Sequence, residues 1–389
     1  CGASGALART CDPASTASPR GAAGTTPAGR GCLRLCPTMA PLYQHDGRFG
    51  SPASRARDLK PNCPSMYRMV VRELGGPASL ERDELTGLSA GPREIAIDVR
   101  AIGCNFFDTL ITRGKYQVRP DLPFSPGAEV AGTVREVGDG VEGYSVGDRV
   151  SAFLVYGGFA SAVAVPQERV FPMPDDMSFE QAAALGLVYQ TSHVALVHRA
   201  RLKAGETLLV HAAAGGVGLA AVQIGVALGA RVIGTAGTPD KLELVKANGA
   251  DVVINYRDED FVDRVKELTK GRGADVIYDP VGGDTFDQST KCIAFEGRIL
   301  VIGFASGRIP SMQMNRVMLK NISLVGLHWG AYFDEDPGVL RDAQSDISRL
   351  HQQGKIAPII SATYPLEEAR AALEALGSRQ TTGKVILVP

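Results

Sequence analysis

From Tyr67 onward, apolar and polar residues alternate in short runs: "YRMVVREL", "REIAIDVRAIG", "EVAGTVREVG" and "GFASAVAVPQERV", parted by Gly, Pro and Asp turns. A period of two marks strands with one buried face. The set predicts a small, partly closed antiparallel β-domain reaching to about Gln190. Beyond it, apolar strands alternate with helical segments, which calls for a parallel sheet covered by helices on both faces. Strands are expected at Thr207–Ala212, Arg231–Thr235, Val252–Asn255, Val276–Asp279 and Arg298–Gly303. Between Thr238 and Gly249 a helix has clear punctuation: Thr238 can cap it, Pro239 suits its first turn, and Gly249 suits a left-handed position past its end. From about Asp336 the pattern returns to helix and closes on a strand, "GKVILVP", expected to pack back onto the first domain.

Residues 1–65 show no such period. They are rich in Ala, Gly, Pro, Ser and Arg and carry a basic balance of +5, the composition of a disordered extension, with the native start expected near Met66 or Met69. An acid-poor leader could also be a mitochondrial transit peptide; otherwise the protein is expected in the cytoplasm. The whole chain of 389 residues has a net charge of -1, 44% hydrophobic and 21% charged residues. That balance argues against nucleic acid as a partner, and no apolar run is long enough to span a bilayer. Five of the seven cysteines precede the predicted fold, and Cys104 and Cys292 stand alone within it. No Cys-x-x-Cys pair suggests a zinc ribbon.

The sharpest chemical signal is "VHAAAGGVGLAA", Val210 to Ala221. It follows a predicted strand, opens a helix, and reads A-x-G-x-x-G over 213–218. Gly215 lets the backbone approach a pyrophosphate, Gly218 lets the helix pack closely, and the amides at Ala214, Gly216 and Val217 can receive the anion. The second strand of an NAD site ends in an acid that holds the ribose hydroxyls. Here "GTAGTPDK" offers Gly237 and then Lys241, and Tyr256 follows the third strand. A vacant acid and a nearby cation suit a 2′-phosphate, so the expected cofactor is NADPH. His193, His198 and His211 share no metal spacing, and Asp258, Glu259 and Asp260 read as a solvated helix start.

Order and spacing of "GCNFFDTLITRGKY", "LPFSPGAEVAGTVREVG", "GDRV", "HAAAGGVGLAAVQI", "GTAGT", "INYRDED" and "TGKVILVP" resemble the medium-chain dehydrogenase/reductase superfamily, in particular its zinc-independent quinone oxidoreductase (ζ-crystallin-like) branch. The resemblance implies an α/β chain with a GroES-like β-rich catalytic domain over 66–190, completed by 331–389, and a Rossmann domain over 191–330. It also implies a homodimer, joined through the edge strand in "ISLVGLHWG". Zinc relatives carry a Cys where this chain has Asn105 and Gly-His-Glu where it has Gly127-Ala128-Glu129, so no metal is expected. Asn105 and Tyr116 would face the substrate and offer hydrogen bonds to a quinone oxygen. Thr191 would lie near the nicotinamide, and Gly303 and Phe304 would meet its carboxamide. The implied reaction is hydride transfer from NADPH to a quinone. An enone or enoyl-thioester reductase is the near alternative, with Arg113, Lys115 and Arg119 as a faintly basic mouth; a non-catalytic NADPH-binding crystallin or sensor is the distant one.

Overall fold

The computed structural model describes residues 65–389, and the expectations placed on the leader lie outside them. The described chain starts with a hairpin of β1 (Tyr67–Val71) and β2 (Leu80–Glu84). There follow β3 (Glu94–Cys104), the short helix α1 (Phe106–Ile111), β4 (Glu129–Val137), β5 (Arg149–Phe153), β6 (Ala162–Pro166) and β7 (Val170–Pro172). Helix α2 (Phe179–His193) opens on a reciprocal cap: Gln181 N donates to Ser178 Oγ at 3.1 Å, and Ser178 N donates to Gln181 Oε1 at 2.9 Å. Both otherwise orphaned donors are satisfied, which starts the helix sharply. It runs on as a π-helical turn over Val194–Arg199, so the expected boundary at residue 190 falls inside a helix.

The alternation expected next is present: β8 (Thr207–Val210), α3 (Gly216–Ala227), β9 (Arg231–Ala236), α4 (Pro239–Ala247), β10 (Val252–Asn255), α5 (Phe261–Leu268), β11 (Ala274–Asp279), α6 (Gly283–Cys292), β12 (Ile293–Val301), α7 (Met314–Lys320) and β13 (Ser323–Gly326). These strands form one parallel sheet in the order β10-β9-β8-β11-β12-β13. The order reverses between β8 and β11, the switch point at which such sheets bind nucleotides. After α8 (Tyr332–Glu335) and α9 (Pro337–Gln352), β14 (Ile360–Pro365), α10 (Ala369–Gly377) and β15 (Lys384–Val388) return to the first sheet. That sheet reads β14-β15-β3-β4-β5-β7, with β6 also pairing with β3. The tail thus packs where its pattern predicts, with β15 antiparallel to β3.

Strand β8 stops two residues short of its expected end because Ala212 takes a positive φ of 47° and swings the chain into the glycine turn. Its residues Leu208, Leu209 and Val210 are buried, as a strand covered on both faces requires. Helix α3 is apolar nearly all round and is wedged between the parallel sheet and α2. Its neighbours join a single apolar cluster that also takes in Ala101, Ala131 and Ile386 from the other sheet. His211 sits in the core, paired with Thr235 Oγ1 at 3.1 Å and Ser289 Oγ at 2.8 Å. Burial pushes its imidazole down to about 3, so it is a neutral packing group rather than a catalytic base.

Candidate active site

The turn between β8 and α3 sets the start of the helix hard against the strand end. A Cβ on Gly218 would stand 2.3 Å from Ala212 O and 2.8 Å from Ala213 Cα, so only glycine lets α3 lie this close to the strand. Gly215 caps α3 in an extended conformation, with only Ala212 O near its would-be Cβ. Ala214, Gly215, Gly216, Val217 and Gly218 therefore lie together at the switch point, at the positive end of a helix. Ser192 Oγ, on α2, donates to Val217 O at 3.0 Å, which pins the turn to the neighbouring helix one residue after Thr191. The Thr191 side chain is 9% exposed, and its hydroxyl has no hydrogen-bond partner among the described residues.

At the end of β9, Gly237 faces Tyr256: a Cβ there would lie 2.5 Å from the phenol oxygen and 3.1 Å from Arg257 Nε. Thr238 stands at the N-cap of α4 with extended backbone angles, as its sequence position predicts, yet its side chain makes no capping bond. Its Oγ1 is buried without a partner. Lys241 is not a free surface cation either: Nζ donates to Arg379 O at 2.6 Å, and Arg379 in turn reaches Ala305 O at 2.7 Å. Arg257 thus stands beside Gly237, next in the chain to the orphaned hydroxyl, and Lys241 lies one turn into the helix that Thr238 opens and is tied to Arg379. The sequence points to Lys241 and Tyr256; the two arginines become visible only once the chain is folded.

At the ends of β11 and β12 the backbone is shaped by Asp279. Its Oδ1 accepts from Val281 N at 2.8 Å and Gly282 N at 3.0 Å, and burial raises its carboxyl. Gly282, with φ +66°, packs under Gly303 and Phe304, a Cβ there meeting Phe304 Cδ1 at 2.9 Å. Of the segments expected to touch a cofactor, those following β8, β9, β10 and β12 lie at the carboxyl ends of the parallel strands, while Thr191 comes from α2.

The residues expected to face the substrate lie at and just beyond the start of α1. Asn105 is 6% exposed, and its amide is fully engaged: Nδ2 donates to Glu129 Oε1 at 2.8 Å and to Gly103 O at 3.3 Å, while Oδ1 accepts from Lys384 Nζ at 2.8 Å. The expected hydrogen bond from Asn105 to a substrate oxygen would require breaking one of these. Lys384 also donates to Cys104 O at 2.9 Å and makes a short charged bond to Glu129, whose other oxygen accepts from Leu187 N at 2.7 Å. Asp108 accepts from Asn105 N at 2.7 Å and Gly127 N at 3.1 Å, and burial pushes its carboxyl up to about 7. Tyr116 is half-buried against Phe107, ring centroids 5.2 Å apart, with its hydroxyl unbonded among the described residues. Burial, helped by Asp108, raises its pKa and keeps it a donor. Lys384 is the buried charge in this cluster that sequence reading did not single out; its only signal lay in the closing "TGKVILVP".

Profile comparison matches residues 91–175 to the alcohol dehydrogenase GroES-like domain and 216–345 to the zinc-binding dehydrogenase domain. A quinone oxidoreductase-like protein 2 homolog of Nematostella vectensis is 43% identical over 331 residues, covering 84% of this chain and 90% of that one. The chain belongs to the quinone oxidoreductase branch of the medium-chain dehydrogenase/reductase superfamily. A quinone oxidoreductase of Pseudomonas aeruginosa, 38% identical, covers 83% of this chain and 99% of its own length. Among solved structures of this superfamily, an Escherichia coli quinone oxidoreductase complexed with NADPH superposes with a TM-score of 0.79 at 36% identity, over 83% of this chain and all of that one. A CurK enoyl reductase gives 0.76 at 29% identity, over 83% and 99%.

One superfamily profile names zinc, but the residues here do not fit it. Among the described residues no group of three or more His, Cys, Asp or Glu side chains could hold a metal ion, where a catalytic zinc needs about three protein ligands. Asn105 and Ala128 stand at the Cys and His positions, and Glu129 is already neutralised by an ammonium that would repel a dication.

Proposed function

We propose that this chain reduces quinones with NADPH and without a metal ion. The observation that carries the cofactor is the buried, partnerless Thr238 Oγ1 just past the end of β9, where an acid would be needed for NADH and where Arg257 instead stands beside Gly237. Thr238, Lys241 and Tyr256 would hold the 2′-phosphate, Ala214 to Gly218 the pyrophosphate, and Thr191, Gly303 and Phe304 the nicotinamide end. Bound NADPH would supply the hydride. Tyr116, rather than Asn105, is the donor to the substrate oxygen, because its proton is uncommitted and its hydroxyl stays protonated at neutral pH. Asn105 shapes the wall behind it. An acceptor that is already electron-poor needs little more than orientation and one hydrogen bond.

The decisive experiment is NADPH oxidation by a panel of simple quinones with a chelator present, repeated with NADH and with a crotonyl thioester. Turnover with quinones, selective for NADPH, supports the reading. Faster turnover of the thioester would favour an enoyl reductase, and tight NADPH binding with no turnover would leave a non-catalytic binding protein. Replacing Tyr116 with phenylalanine should lower kcat roughly a hundredfold, the usual loss for one oxyanion donor, with NADPH affinity unchanged; stopped-flow and titration separate the two.

The same reading includes a dimer. Strand β13 pairs only with β12 among the described residues, and on α7, the helix that leads into it, Met314, Met318 and Leu319 are 63–72% exposed. An open edge flanked by such a patch favours pairing with a second copy. Substituting Leu319→Glu should convert a dimer into a monomer by sedimentation velocity, and a monomeric wild type would overturn the assignment. The unpaired, buried Cys104 and Cys292 support a reducing compartment, the cytoplasm; fractionation into mitochondria would contradict it.

A further inference from the structure

The buried Lys384–Glu129 pair asks for an explanation beyond stability. Lys384 is 3% exposed and Glu129 1%. A buried ion pair seldom stabilises a fold more than packed apolar residues of similar volume would. The pair's neighbours suggest another reason. Lys384 directly follows Gly383, which occupies the left-handed region at φ +54° and has no room for a side chain, since a Cβ would lie 2.2 Å from Ile359 O. Gly383 pairs with Gly215 as an isolated bridge and donates its N–H to Ala214 O at 2.9 Å. It therefore presses on the dinucleotide turn itself, and the Lys384 chain begins its path under Gly216, whose would-be Cβ stands 3.4 Å from Lys384 Cδ.

At the far end of that side chain, all three ammonium protons are used, on Cys104 O, Asn105 Oδ1 and Glu129 Oε1. This dictates which way the Asn105 amide faces, and Asn105 N is in turn held by Asp108 at the start of α1. Gly383 and the first residue of β15 thus join the turn at Ala214–Gly216 to the Asn105 end of α1.

We propose that Lys384 is a positioning residue: with Gly383 it couples the pyrophosphate turn at Ala214–Gly216 to the Asn105 end of α1, so that an occupied cofactor site holds the wall bearing Phe107 and Tyr116 in place. The effect on turnover rests on the reductase reading; the coupling itself does not.

The test uses Lys384→Met and the double variant Glu129→Gln/Lys384→Met. The single variant strands a buried carboxylate and can fail to fold. The double variant removes both charges and lets two amides satisfy each other after Asn105 turns over. Hydrogen exchange is followed over residues 105–112 with and without NADPH, beside NADPH titration and quinone kinetics. In the wild type, NADPH should slow exchange in that segment. The folded double variant should still bind NADPH, because the turn's own amides are intact, but lose this slowing and lose kcat by about tenfold or more, as a displaced wall would cause. A double variant that keeps both the wild-type kcat and the NADPH-dependent protection overturns the proposal, as does a wild type in which NADPH leaves 105–112 unprotected. Protection in a wild type that reduces no quinone would sink the reductase reading and leave the link standing.

Discussion

Replacing Gly218 with alanine should abolish useful NADPH binding while leaving most of the fold in place. The added methyl would sit 2.3 Å from Ala212 O and 2.8 Å from Ala213 Cα, both backbone atoms that no rotamer change can move. Helix α3 must then withdraw from β8, and the amides at its start leave the positions where a pyrophosphate would be received. Charge-assisted bonds to backbone donors contribute roughly 1.5–3 kcal/mol each, so misplacing two of them lowers affinity by about two orders of magnitude or more. Titration calorimetry with NADPH reads the loss directly, and far-ultraviolet circular dichroism checks that the sheet survives. An affinity within a few-fold of the wild type would show that the cofactor does not lie on this turn.

Removing the Glu129 carboxylate should be the most destabilising single change in the catalytic sheet. In Glu129→Ala the Lys384 ammonium keeps Cys104 O and Asn105 Oδ1 but loses its counter-charge, while Asn105 Nδ2 and Leu187 N lose acceptors at 2.8 and 2.7 Å. Breaking one side of a buried pair typically costs about 3–5 kcal/mol. That is a large share of the 5–15 kcal/mol by which ordinary domains are stable. Denaturant unfolding should show the midpoint falling sharply, and the double variant carrying Lys384→Met should recover much of it. Equal stability of Glu129→Ala and wild type would mean that the pair is wet.

Local chemistry made most of this molecule readable. The strand and helix periods placed the parallel sheet, and the A-x-G-x-x-G turn placed its crest, because both depend on residues within a few positions of one another. The end of β8 was overshot because a positive φ at Ala212 leaves no mark in an apolar run. The Thr238 hydroxyl looked like a helix cap and is instead buried without a partner. The direction of the Asn105 amide could not be read at all. It is set by Lys384, 279 residues away, and a lysine in a terminal β-run looks like any edge residue until the sheet brings it under α1. Function-bearing contacts of this kind join distant segments, where periodicity carries no information.

The parallel sheet is inserted between two stretches of the other: the chain leaves after β7 and comes back at β14. Two crossings therefore connect the halves, and a body tied at two points can swing about the line through them far more easily than it can twist or slide. Any opening of one half from the other would have to turn about both crossings, like a door on two hinges, and would strain the apolar cluster they share. For the same reason, grafting a foreign nucleotide half onto this scaffold would need both crossings cut and rejoined in register.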